Sequence, residues 1–170
     1  MPTPIGHALG GIAAGAMILR DPTTITSVAR RRLSILATFA LLGMLADIDF
    51  LVFSPHRHAT HSLVVGGLIG IMGMAVLPGK PLIWMSGSAA YLSHVFLDWL
   101  GADTVEPIGI MALWPFDEGH YQAPISLFLP VCRQYWLLDC WLSIGYAVSY
   151  ELLIVGPFAL AAVLLNRRWR

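Results

Sequence analysis

Charge is scarce in this chain. Of 170 residues, 10 are Lys or Arg and 10 are Asp or Glu, so charged side chains make up 12% and cancel to a formal net charge of +0. Soluble globular domains carry about twice that share, which nearly excludes an ordinary soluble enzyme. Without a basic surplus there is no electrostatic footprint for nucleic acid, and without an acidic one no solvating disordered region. Cysteine is equally rare: Cys132 and Cys140 form no recognisable disulfide framework or zinc ribbon. Internal repeats, low-complexity runs and a second domain are also missing, so residues 1–170 read as one integral-membrane domain.

What is abundant is apolar surface. Hydrophobic residues reach 57% and the mean hydropathy is +0.72. They fall into five stretches, Ile5 to Leu19, Leu33 to Phe53, Ser62 to Leu77, Leu82 to Leu100 and Trp136 to Leu165, separated by Pro, Arg, Lys or polar loops. A membrane crossing takes about 20 residues. The expected fold is therefore all-α, a polytopic bundle of about five transmembrane helices, with the short first and third stretches tilted or partly re-entrant. The opening MPTPIGHALG lacks a basic n-region and does not read as a cleaved signal peptide. The pairs Gly6/Gly10, Gly11/Gly15 and Gly66/Gly70 are small-xxx-small spacings that let helix backbones approach. Tyr135, Trp136 and Trp141 read as an interfacial aromatic belt.

Lys and Arg set the orientation, because cytoplasmic loops are enriched in them. Five crossings place Arg20, Arg30, Arg31, Arg32, Lys80, Arg167, Arg168 and Arg170 on one side, and Arg57 and Arg133 on the other. That predicts a cytoplasmic C-terminus and an outer N-terminus. The loop SPHRHAT and the segment from Gly101 to Tyr135 then lie outside.

Ionisable groups at membrane depth are costly and tend to mark function. Here His7 lies near the start of the first stretch, Asp47 and Asp49 near the end of the second, and His56, His58 and His61 in and after the next loop. His94 and Asp98 lie toward the end of the fourth. All fall toward the outer face, although the orientation was derived without them. Singly, each is explained by packing or by wetting of a span end; together they call for mutual pairing or a cation. His94 and Asp98 at i, i+4 share a helix face and can share a metal. Asp47 and Asp49 at i, i+2 cannot both use one helical face, so either the helix has ended there or only one is a direct ligand.

Mixed imidazole and carboxylate donors suit zinc best, with manganese or iron as options. Such a metal lowers the pKa of its water to about 7 and makes a hydrolytic nucleophile. Arg57 fits phosphate oxygens, or equally anchors its loop at the headgroups. Trp114, Asp117, Glu118 and His120 are candidates to line a substrate entrance or are ordinary loop polarity.

The blocks PTPIGHALGGIAAG, LADIDFL, HRHATHS, SHVFLDWL and GIMALWPF, in this order from Pro2 to Phe116, resemble the LexA-regulated, membrane-bound metal-dependent hydrolases of bacterial inner membranes. Two positions depart from that pattern: Ala46 stands where Pro is usual and His58 where Gly is usual, which favours His61 over His58 as a ligand. More remotely, the order His7, Asp47, His61, His94-x3-Asp98 is similar to the zinc-dependent phospholipase C and P1 nuclease superfamily. The second His-x3-acid helix of that superfamily is missing, since the last span offers Asp139 and Glu151 without a His. The resemblance implies His7, Asp47, His61, His94 and Asp98 as metal ligands of a one- or two-metal site, with Asp49 bridging or orienting an imidazole. It also implies Asp47 as a base and a lipid-linked or membrane-proximal ester, foremost a phosphoester, as substrate.

Competing expectations are a cation carrier using the same His and Asp with Asp139 and Glu151, a haem protein with His7 and His94 as axial ligands, and a non-catalytic protein with a buried polar network. Membrane lipid is the expected partner, with homo-oligomerisation left open.

Overall fold

The computed structural model describes residues 1–19, 28–51, 58–76 and 78–165. Five α-helices carry the chain: α1 (Pro4–Ile18), α2 (Val28–Met44), α3 (Leu63–Val76), α4 (Pro81–Trp99) and α5 (Leu138–Leu165). Short 3-10 turns follow α2 (Leu45–Leu51) and precede α3 (Ala59–His61). Helices α1, α3, α4 and α5 coincide with four of the apolar stretches to within two residues, whereas α2 starts five residues before Leu33 and gives way to the 3-10 turn at Met44, nine residues short of Phe53. Among the described residues, two segments are long and apolar enough to cross a membrane, Arg32–Phe50 and Leu138–Leu165. At 1.5 Å per residue, α1 and α3 span only about 21–23 Å, short of a hydrocarbon core of about 30 Å.

Local chemistry sets the helix starts. Thr3 caps α1, its Oγ1 accepting from the Gly6 N–H at 3.4 Å, and Pro4 follows where no intrahelical donor is needed. Pro81 plays the same part in α4. Glu151, buried in the middle of α5, accepts the Thr3 N–H at 2.7 Å on Oε1 and the Thr3 hydroxyl on Oε2. An acidic side chain of the long helix thereby closes the N-terminus of the short one.

Helix α1 is central, packed against α2, α4 and α5, while α3 packs on α4. Its contact with α2 is backbone on backbone at Gly11 and Gly43. A Cβ on Gly11 would stand 2.2 Å from the Phe39 carbonyl oxygen, and one on Gly43 would stand 2.4 Å from that of His7. Gly15 meets the Phe39 ring, Gly66 meets Leu92 and Gly70 meets Ser88, so these glycines serve contacts within the chain. Large apolar side chains such as Leu41, Met72, Leu153 and Leu160 point outward, 59–76% exposed on the bundle surface. A patch of that extent is stable against lipid rather than water.

From Gly101 to Leu137 the chain has no regular element beyond two isolated bridges, Gly101 with Phe128 and Ile110 with Tyr121. It folds back over the ends of the helices: Leu63 N–H donates to Ala112 O at 2.9 Å, and Leu127 N–H to Leu100 O at 2.7 Å. Ile110 is completely buried against Ala46, Tyr91 and Val95. Cys132 and Cys140, in which the sequence showed no recognisable framework, are joined in a disulfide with Cα atoms 5.4 Å apart. The turn in which Leu137 N–H donates to Gln134 O closes the eight-residue gap, which spacing in a sequence does not reveal.

Candidate metal centre

The start of α1, the end of α2, the turn before α3 and the end of α4 meet at one end of the bundle, beneath the 101–137 segment. This brings His7, Asp47, Asp49, His61, His94 and Asp98 together. Arg57 and His56 lie outside the described residues.

The α-helix of α2 ends at Met44, and a 3-10 turn carries both Asp47 and Asp49. The helix has ended, which was one of the two expectations for an i, i+2 pair, and the two carboxylates take opposite edges of one imidazole. Asp47 Oδ1 is 3.5 Å from His61 Nε2, and Asp49 Oδ2 is 3.4 Å from His61 Nδ1. Thr60 donates its hydroxyl to Asp49 Oδ2 at 2.7 Å, and the Tyr91 hydroxyl of α4 donates to the Thr60 carbonyl. Asp49 thus orients His61 from behind.

His94 is oriented in the same manner by backbone. Its Nδ1 donates to the Gly43 carbonyl at 2.8 Å, because a carbonyl can only accept. Its Nε2 is left to face the group, 3.1 Å from His61 Nε2, 3.2 Å from Asp98 Oδ2 and 3.5 Å from Asp47 Oδ1. His61 Nε2 is 3.4 Å from Asp98 Oδ2. His61, His94 and Asp98 have side chains 0% exposed, whereas that of Asp47 is 35% exposed.

Four donors held about 2.0–2.2 Å from a tetrahedral zinc stand about 3.3–3.6 Å from one another. The five separations just given run from 3.1 to 3.5 Å, and the four donor atoms of Asp47, His61, His94 and Asp98 all lie within 4.8 Å of one another. Both oxygens of Asp98 are buried without a hydrogen-bond donor. Converging lone pairs around an undonated buried carboxylate are what a cation would stabilise, so these residues fit a divalent metal.

His7 stands beside this group of four. Its Nε2 is 3.2 Å from Asp98 Oδ1, and its ring stacks on His94 with centroids 3.7 Å apart. Asp98 therefore faces the four-donor group with one oxygen and His7 with the other, so it holds His7 in place and is placed to bridge.

A cavity of about 290 Å³ reaches the group from the side of His7, Asp47 and Asp98. Phe50, Pro130, Val131, Arg133 and Tyr135 complete much of its wall. Trp114, Asp117, Glu118 and His120 are not among its lining residues. Asp117 instead shapes its own loop, where the Gly119 N–H and then the Tyr121 hydroxyl hold its carboxyl below the ordinary range. His58 is edge-on to His120, with ring centroids 6.4 Å apart, and is not part of the group of four. Asp139 is exposed at the start of α5, and Glu151 is engaged at the N-terminus of α1.

Residue reading missed Gly43, Thr60, Tyr91 and Arg133. Gly43 acts through its carbonyl, which leaves no side-chain signal. Thr60 and Tyr91 act through other residues, and Arg133 figured only as a charge in the orientation count.

Fold and site together define an all-helical membrane protein with a buried His/Asp group able to hold a metal ion. The chain matches the model of the YdjM inner membrane protein family over residues 1–169 and belongs to that family. No curated protein and no solved structure matches it.

Proposed function

We propose that this chain is a metal-dependent hydrolase of the inner membrane, acting on a lipid-linked or membrane-proximal ester, foremost a phosphoester, at the outer face. The observation that carries the reading is the set of donor separations of 3.1–3.5 Å, approached by a cavity lined by His7, Asp47 and Asp98. His61, His94, Asp47 and Asp98 would hold the ion, zinc by donor chemistry with manganese or iron as options. Bound there, it would supply an activated water and offset charge developing on the ester oxygens.

The protein's own groups do the rest. Asp49 and the Gly43 carbonyl fix the two imidazoles. His7 holds Asp98. Asp47, part-exposed on the cavity wall, is placed to accept a proton from a water entering there. The cavity keeps a substrate against this wall while His61 and His94 stay shielded behind it.

The alternation of helix ends supports the outer location, since the site shares its end of the bundle with the 101–137 segment while the basic cluster Arg167, Arg168 and Arg170 follows the far end of α5. The Cys132–Cys140 disulfide lies on the site's side, and disulfides persist in oxidising compartments.

The test is metal analysis by plasma mass spectrometry on detergent-purified protein, with hydrolysis of a p-nitrophenyl phosphoester on the same samples. Near-stoichiometric metal and turnover, both lost in His94→Ala and Asp98→Ala, is the expected result. Full metal retention in both variants overturns the site; metal without ester hydrolysis across a phosphoester and carboxyl-ester panel overturns the reaction.

A further inference from the structure

Arg133 is the one Lys or Arg among the residues lining the cavity. Its guanidinium makes no hydrogen bond or ion pair with the described residues. Two other charged groups lie on that wall outside the site: the Met1 ammonium, which donates to the Ala102 carbonyl, and Asp103, occupied at both oxygens, Oδ1 accepting the Val105 N–H at 3.3 Å and Oδ2 the Gly109 N–H at 3.1 Å. The backbone beneath Arg133 is nonetheless firmly held. Cys132, its neighbour, is bonded to Cys140, which is buried in the first turn of α5. Two residues on, the Tyr135 ring lies 6.3 Å from that of Trp141, whose indole N–H donates to the Tyr135 carbonyl at 2.8 Å. An unpaired cation on a stapled segment, facing a cavity, suits a ligand more than internal structure.

Depth in the membrane narrows the ligand. Phe50, 69% exposed, and Tyr135 line the cavity, and Trp136, 78% exposed, adjoins it. Tyr and Trp settle at the headgroup level of a bilayer. The mouth of the cavity therefore opens where lipid phosphates lie, with apolar side chains beside it and a guanidinium fork in its wall.

We infer that Arg133 is the anion-recognition residue of this cavity, and that its ligand is an amphiphilic phosphoester whose phosphate pairs with the guanidinium while its chain leaves past Phe50 and Tyr135. The inference rests on the proposed hydrolase reading for what happens to the bound ester, but the binding step is separable from it.

The experiment measures binding of octyl phosphate and of inorganic phosphate by isothermal titration calorimetry, with metal content determined on the same samples, for wild type, Arg133→Gln and Arg133→Lys. Wild type is expected to bind octyl phosphate at least tenfold more tightly than inorganic phosphate. Arg133→Gln is expected to lose about tenfold or more in octyl phosphate affinity at unchanged metal content, with Arg133→Lys recovering part as a point charge. Unchanged affinity in Arg133→Gln overturns the assignment. Equal affinity for the two probes overturns the amphiphilic ligand and points to free phosphate. Wild type free of metal but dependent on Arg133 for phosphate would sink the hydrolase reading and leave this one standing.

Discussion

His94 donates its Nδ1 proton to the Gly43 carbonyl and so turns its Nε2 toward His61, Asp47 and Asp98. His61 Nδ1 lies 3.0 Å from the Thr60 hydroxyl oxygen and 3.4 Å from Asp49 Oδ2, to which that hydroxyl donates. Residues that hold the ion and residues that aim them should therefore separate by magnitude. His94→Ala is expected to abolish metal binding, whereas Asp49→Ala should keep the site but weaken it about 10–100-fold, as losses of outer orienting groups do. Competition titration against a chromophoric chelator reads both. Equal, complete loss in Asp49→Ala would make Asp49 a direct ligand. At this scale the ligand types and the His94–Asp98 spacing were legible in the sequence. That Asp49 would bridge or orient an imidazole was an expectation of the resemblance, but which imidazole was not legible, because its approach to His61 needs a 3-10 turn that apolar periodicity does not announce.

Among the helices, two contacts decide how the ligands are delivered. The Gly11–Gly43 crossing sets α1 against α2 with backbones touching, and so sets both His7 and the carbonyl that aligns His94. Gly43→Ala would force the helices apart, costing about 1–3 kcal/mol as overpacked cores do. A lower melting temperature together with weaker metal binding is expected. A fall in melting temperature alone would uncouple the crossing from the site. The second contact is Glu151 at the N-terminus of α1. Glu151→Ala strands the buried Thr3 N–H and hydroxyl, worth about 1–3 kcal/mol for each unsatisfied group, while Glu151→Gln keeps an acceptor and should be milder. Thermal melts with metal analysis test this: a stability loss at unchanged metal content is expected, and loss of metal would tie Glu151 to the ion instead. The five helices themselves were visible as apolar stretches, since a spanning or near-spanning helix must be continuous in sequence. Glu151 stood out as a buried acid, but its partner is 148 residues away.

For the molecule as a whole, a bound cation and membrane orientation are linked to stability and compartment. A ligand that binds only the folded state raises stability with concentration, by about 2.7 kcal/mol at a hundredfold excess over its dissociation constant. Zinc should raise the melting temperature of wild type, EDTA should lower it, and His94→Ala should respond to neither. A wild type indifferent to both would contradict a buried cation site. Orientation is tested in spheroplasts with an impermeant reductant and a maleimide polymer. Cys132 and Cys140 should be labelled after external reduction without lysis. Labelling that requires lysis would put the site on the cytoplasmic side.

The membrane class, the helix count and most residues of the His/Asp group were legible in the sequence alone, because composition, continuous apolar runs and residue chemistry are local properties. His7, Asp47, His61, His94 and Asp98 could all be picked out as polar groups in apolar surroundings. Only the tertiary structure decided which four donors converge, that His7 stands beside them on the far oxygen of Asp98, and that the cysteines are bonded. It also decided that the cavity wall is built from Pro130 to Tyr135 instead of Trp114 to His120. Those facts depend on helices brought together at Gly11 and Gly43 and on an irregular segment folded back over their ends, distances of a few ångströms between residues far apart in the chain.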